Sequence, residues 1–310
     1  MSGAHFVCEG GGQIWADSAV VYDSRSLSEF IGSFRYVDGS RELLADGARY
    51  FFDLERLQAE GNVSLRDEEA GSSITNGDLV LMMANSMREE ESMTVTIGSD
   101  GRRPVAVLSP PVDSTALEPA GPPTPYTVTG DRIDLRGASS FAATGDVEIV
   151  RDSLLAFADS VEYDQLLGDL LLSGSARVEG EGYDLEGRAI TMDSPGAASS
   201  TLRAVRDARL TGTDLLLTSA QIVVYMVDDA LERLVAIPIT RGVPRAGDPP
   251  ADSADLVLPR ATVDDFVLTA DSLEVLAPGE SIERVFAAGR ARSTSRSRDT
   301  LNVASLPEVA

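Results

Sequence analysis

Residues Ala158–Met192 read ADSVEYDQLLGDLLLSGSARVEGEGYDLEGRAITM, and the period of their apolar residues decides the fold class. Ala176-Arg177-Val178-Glu179 and Arg188-Ala189-Ile190-Thr191-Met192 alternate apolar with polar side chains. A period of two puts one set on a buried face and the other in water, which is the pattern of a half-buried strand. The same alternation recurs outside this stretch, in Asp146-Val147-Glu148-Ile149-Val150 and Asn62-Val63-Ser64-Leu65-Arg66. Gly, Asp, Asn and Ser break the pattern every 8–12 residues or so, the spacing of an antiparallel meander, sandwich or barrel. Leu79–Glu91 is a helix candidate, but its surroundings favour a strand followed by a charged turn. The chain is expected to be all-β.

Two phrases repeat. Ala-Asp followed by Ser or Gly and then alternating apolar residues occurs at Ala16-Asp17-Ser18, Ala45-Asp46-Gly47, Ala158-Asp159-Ser160 and Ala270-Asp271-Ser272. A Gly-polar phrase opens the following strand at Gly61-Asn62-Val63, Gly145-Asp146-Val147, Gly174-Ser175-Ala176 and Gly289-Arg290-Ala291. Asp17 and Asp46 are 29 positions apart, and Asp131 and Asp159 are 28 apart. A unit of that size holds two or three short strands and cannot bury its apolar face alone, so neighbouring units must stack. Two proline-rich stretches, Ser109–Pro125 and Val243–Pro259, interrupt the repeats and read as loops or linkers, with a strand start at Leu256–Leu258. They divide the chain into repeat domains at 1–108 and 126–242 and a partial repeat at 260–310.

In this order the phrases resemble the OstA-like (LptA–LptC) family of lipopolysaccharide-transport proteins. Ala158–Met192 carries the resemblance most fully. Ala45–Leu81, with Gly61-Asn62-Val63, and Asp271–Ser295 are the second and third copies. The resemblance implies a β-jelly-roll or β-taco: an open-ended stack of antiparallel strands whose apolar groove holds the acyl chains of lipid A. It also implies a periplasmic setting, possession of no catalytic centre or cofactor, and partners that include lipopolysaccharide, other OstA-like transport components joined by end-to-end β-strand addition, and further copies of the chain itself. The same repeat serves both the periplasmic bridge and the N-terminal domain of the outer-membrane translocon. The N-terminus lacks the basic region and apolar run of an export signal, so an exported protein would be expected to begin before this sequence, which then starts after the signal or at a wrongly chosen start.

Inward members of the alternating pairs are the candidate lipid-binding residues: Val63, Leu65, Val147, Ile149, Val161, Tyr163, Val178, Ile190, Met192, Leu210, Ile222 and Val224. Alternation alone is equally satisfied if these side chains fill a closed core. A structural or adhesive cell-surface β-solenoid is therefore the alternative reading, and the discriminating feature is a groove that takes up amphiphiles.

Composition excludes several other classes. With 50 acidic against 26 basic side chains, all of the latter arginine, the formal charge is -24. Phosphate-backbone binding needs the opposite balance, so nucleic acid is not an expected partner. By the same charge, lipid A phosphates are kept out of the groove. The single histidine, His5, and single cysteine, Cys8, cannot complete a zinc site or a catalytic triad. Gly10-Gly11-Gly12 lacks the lysine and hydroxyl of a phosphate loop. The acidic pairs Asp228-Asp229 and Asp264-Asp265 fit no calcium-loop spacing and read as solvated turns.

Overall fold

A computed structural model describes residues 3–8, 11–109, 124–137, 140–152, 154–164, 169–193, 199–227, 230–238, 258–263, 265–278 and 282–295. Most of both proline-rich stretches, the Asp228-Asp229 pair, Asp264 and the Leu256–Val257 part of the expected strand start lie outside the described residues.

Strands fill nearly all of it. The chain opens with β1 (Ala4–Val7), β2 (Gln13–Ala16) and β3 (Ser18–Tyr22), followed by two long strands, β4 (Leu27–Asp38) and β5 (Arg41–Phe51). Short strands come next: β6 (Arg56–Glu60), β7 (Ser64–Asp67), β8 (Ser72–Thr75), β9 (Asp78–Met82), β10 (Ser92–Thr96), β11 (Val105–Leu108), β12 (Tyr126–Thr129) and β13 (Arg132–Arg136). Six long strands follow: β14 (Ser140–Arg151), β15 (Leu154–Asp164), β16 (Asp169–Gly180), β17 (Tyr183–Asp193), β18 (Ser199–Gly212) and β19 (Leu215–Val227). The series ends with β20 (Ala230–Ile237), β21 (Arg260–Val263), β22 (Phe266–Thr269), β23 (Ser272–Leu276), β24 (Arg284–Ala288) and β25 (Arg292–Ser295). Helical structure among the described residues is confined to single 3-10 turns, at Asp23–Arg25, at Phe52–Leu54 and at Pro278. The Leu79–Glu91 segment is β9 and a turn in which the Asn85 side chain accepts the N–H groups of Met87 and Arg88.

All pairings are antiparallel and run in two ladders. The front ladder passes β1–β2–β4–β5–β7–β8–β11–β12–β14. The back ladder passes β3–β4–β5–β6–β9–β10–β13–β14. From β14 to β19 each long strand belongs to both, one half in each. Beyond β19 the ladders part again, into β21–β22–β25 and β20–β23–β24.

What joins the halves is a bulge. Register slips between Ile31 and Phe34, Thr144 and Val147, Phe157 and Ser160, Ser173 and Ala176, Glu186 and Ala189, and Val205 and Ala208. A bulge bends its strand and sharpens the local twist, so a column of them makes a crease along which the sheet folds over. Inward side chains of both ladders then meet in one apolar core, from Ile14 and Phe34 through Leu172 and Leu185 to Leu273. Among the described residues only Ser28, Ser200 and Ser219 are buried polar residues.

The repeated phrases are this crease. Gly174 and Ser175 have φ of 75° and 45°, a left-handed pair that glycine enters freely and serine at a cost. A Cβ on Gly174 would lie 2.2 Å from Asp159 Oδ2, the aspartate of the preceding Ala-Asp phrase. Elsewhere the same meeting is drawn in hydrogen bonds. The N–H of Asp17 donates to Gly32 O at 2.9 Å, that of Asp46 to Gly61 O at 2.7 Å and that of Asp271 to Gly289 O at 2.8 Å. Side chains that follow these glycines return to the aspartate: Ser33 Oγ to Asp17 at 3.1 Å, Asn62 Nδ2 to Asp46 at 2.8 Å and Arg290 Nε to Asp271 at 2.7 Å.

One expectation is corrected. The stack is not open throughout, because β5, β7, β8, β11, β12, β14, β13, β10, β9 and β6 pair in sequence back to β5, a closed ten-strand circuit. The reason is local. β5 and β14 pass through both ladders, whereas every layer between them is broken at the crease into two separate strands. At the ends of the pairing order, β1, β3, β24 and β25 each have one strand partner among the described residues.

Substituting Gly174 by Ala should therefore destabilise the chain by about 1–3 kcal/mol, through the left-handed backbone and the clash with Asp159. Urea unfolding followed by circular dichroism measures it, and an unchanged midpoint would contradict the crease.

Candidate functional site

Opposite the crease, the far ends of the strands form a mouth between the ladders, and cavities walled by described residues open there. The first, of about 230 Å³, lies between the front-ladder residues Leu65, Ile74, Leu108, Tyr126 and Ile149 and the back-ladder residues Met93, Leu135, Phe141, Tyr163 and Leu170. The second, of about 430 Å³, lies between Tyr183, Leu210, Leu215 and Val263 in front and Leu231, Leu234, Ala277 and Ile282 behind. Beside it Tyr183 reaches across from the front ladder, its hydroxyl 3.1 Å from Met226 Sδ.

These cavities sort the twelve candidate residues. Leu65, Ile149 and Tyr163 line the first and Leu210 the second. Val63, Val147, Val161, Val178, Ile190, Met192, Ile222 and Val224 are packed in the core and line neither cavity. Distance from the crease separates the groups within a strand: Val161 follows the β15 bulge at once, and Tyr163 stands two residues nearer the mouth. Sequence reading missed Met93, Leu135, Phe141 and Leu170. The signal was present in Ile133-x-Leu135, Phe141-x-Ala143 and Leu170-x-Leu172, apolar pairs that flank the strand ends.

The mouth of the first cavity is polar. Arg41, at the start of β5, donates from Nε to Asp67 Oδ2 at 2.9 Å and pairs through Nη1 with Glu91, which immediately precedes β10. That second pair crosses from front ladder to back. Asp67 also accepts from Ser40 Oγ at 2.8 Å and from the N–H groups of Glu69 and Ala70 at 3.1 Å each. Burial works to raise the Asp67 carboxyl, but the Ala70 N–H, the Arg41 guanidinium and the Ser40 hydroxyl outweigh it and hold the group below its ordinary value.

Reactive side chains are elsewhere. His5 stacks on Trp15 with ring centroids 5.1 Å apart and contacts Gln13 at 3.3 Å. Cys8 is half-buried, and burial, then the charge of Asp38, pushes its thiol up, away from the nucleophilic thiolate. Among the described residues no three His, Cys, Asp or Glu side chains are grouped to hold a metal ion. No described helix is long and apolar enough to cross a membrane. What this mouth can do chemically is shelter apolar groups beneath a rim of fixed charge.

No family model and no curated protein matches the chain. Among solved structures it is similar to LptH, described as the LptA homologous periplasmic component of the conserved lipopolysaccharide transport device from Pseudomonas aeruginosa. Identity is 14%, the match covers 63% of this chain and 82% of that one, and the TM-score is 0.17. At that score the likeness carries no weight for function.

Asp67→Asn should lower the thermal midpoint at pH 7. A carboxyl held below its unfolded value stabilises the fold only while ionised, so its contribution is present above that value, about 3.9 for aspartate, and is lost as pH falls through the folded one. Melts across this range should show the gap to the native chain closing with acid; a gap unchanged down to pH 3 would contradict the assignment.

Proposed function

We propose that this chain is a non-catalytic carrier of lipopolysaccharide, working in the periplasm and passing the molecule toward the outer membrane. The observation that carries the reading is a pair of cavities with largely apolar walls, each walled by both ladders, the second also edged by Glu181, Thr213 and Asp214. Small-molecule pockets span roughly 300–1,000 Å³. The second cavity falls within that range and the first just below it; each would shelter part of an acyl chain, and an amphiphile would bind by lying along the mouth with its head group outside. Burying one methylene contributes about 0.8 kcal/mol, so a dozen supply on the order of 10 kcal/mol with no catalytic group involved. The repeat domains 1–108 and 126–242 and the partial repeat 260–310 would act as successive segments of one trough. The one-sided edges of β3 and β24 offer unpaired backbone groups to an added strand, the chemistry of end-to-end assembly with like proteins or with a second copy.

A structural or adhesive β-solenoid is the second reading. It is favoured by the closed ten-strand circuit and by the eight candidate residues that fill the core.

A photo-crosslinking residue decides between them. Placed at Phe141, on the cavity wall, it should form an adduct with labelled lipopolysaccharide; placed at Val178, inside the core, it should not. A folded protein that gives no adduct at Phe141 is a structural solenoid and not a carrier.

A further inference from the structure

The two acidic partners of Arg41 are not equivalent. Asp67 is fixed by four donors, namely the Ser40 hydroxyl, the Glu69 and Ala70 N–H groups and Arg41 Nε. Glu91 has Arg41 as its one side-chain hydrogen-bond partner among the described residues. An incoming anion can therefore take the place of Glu91 without unseating Arg41, which Asp67 continues to hold. Arg41 lines the same cavity as the apolar side chains of Leu65, Met93, Leu135, Phe141 and Tyr163. A cation beside an apolar cavity is a local match for an anionic amphiphile, set against the repulsion of a chain whose formal charge is -24.

We propose that Arg41 is a head-group site: it binds the phosphate of an acyl-chain amphiphile whose tail occupies the cavity beside it, and Glu91 is the latch that the phosphate displaces. This rests on the carrier reading and adds its polar end. Guanidinium presents a planar fork of donors that matches the oxygens of a phosphate. Ser72 and Ser73 line the same mouth and offer hydroxyls to the remaining oxygens. Because the Arg41–Glu91 pair joins the two ladders, displacing Glu91 also removes a tie across the mouth and lets the tail enter sideways.

Calorimetric titration of the full chain tests this. The ligands are dodecyl phosphate, neutral dodecyl maltoside and inorganic phosphate, the detergents below their micelle-forming concentrations. Arg41→Gln should weaken dodecyl phosphate by about tenfold and leave the maltoside unchanged. Glu91→Gln, which leaves the Arg41–Asp67 pair in place, should tighten dodecyl phosphate, and inorganic phosphate alone should bind far more weakly. The head-group site is overturned if Glu91→Gln and Arg41→Gln both bind dodecyl phosphate like the native chain, or if inorganic phosphate binds as tightly as dodecyl phosphate. Should neither detergent bind, the carrier reading itself falls and the head-group site with it. Should both bind equally in every variant, only the head-group site falls.

Discussion

The contact between an Ala-Asp aspartate and the Gly-polar bulge of the neighbouring strand is the constraint on which the rest depends. A continuous sheet of this length would be flat enough to expose one apolar face to water. At Asp17 with Gly32, Asp46 with Gly61 and Asp271 with Gly289 the backbone is pinned in a left-handed kink by the aspartate N–H and by a returning side chain. Repeated layer after layer, the kinks fold the sheet onto itself, and the two halves bury each other. The crease sets the position of the mouth, and the mouth sets where the cavities lie. Ion pairs away from the crease contribute little to this order. Pairs such as Arg35–Glu42 and Arg188–Asp207 lie in solvent on the outer face, where each contributes about 0–1 kcal/mol.

Much of this was legible in the residues. Alternation around Val147, Val178 and Ile190 placed those side chains inward, and all three are buried. The recurrence of Ala-Asp and Gly-polar phrases reads as a stacking repeat, and in the structure the two phrases meet at the crease, as where the Asp46 N–H donates to Gly61 O. Two features were not legible, for one physical reason. The ten-strand circuit depends on which strands break at the crease, as between Glu60 and Ser64, and which pass through it, as β5 does at Gly47. Both are outcomes of pairing between distant segments. The Arg41–Glu91 clasp likewise joins residues 50 positions apart, with no local pattern at either end to announce it.

The same reasoning explains why the candidate lipid-binding residues divided. Periodicity says which way a side chain points; it does not say how far along the strand the two ladders diverge. Close to the crease the ladders are in contact, and Val63 and Val161 are ordinary core. Toward the mouth they separate, and Leu65 and Tyr163 border open space. The crease is thus the closely packed side of the fold, and the open volume lies toward the rim, where Arg41, Asp67 and Glu91 line the first cavity.

Native mass spectrometry of the intact chain titrated with lipid A tests the central claim, that the mouth takes up acyl chains, most directly. The account predicts a saturable complex that survives transfer to the gas phase and is competed away by dodecyl phosphate. A folded protein that carries no lipid at any concentration below aggregation would contradict it.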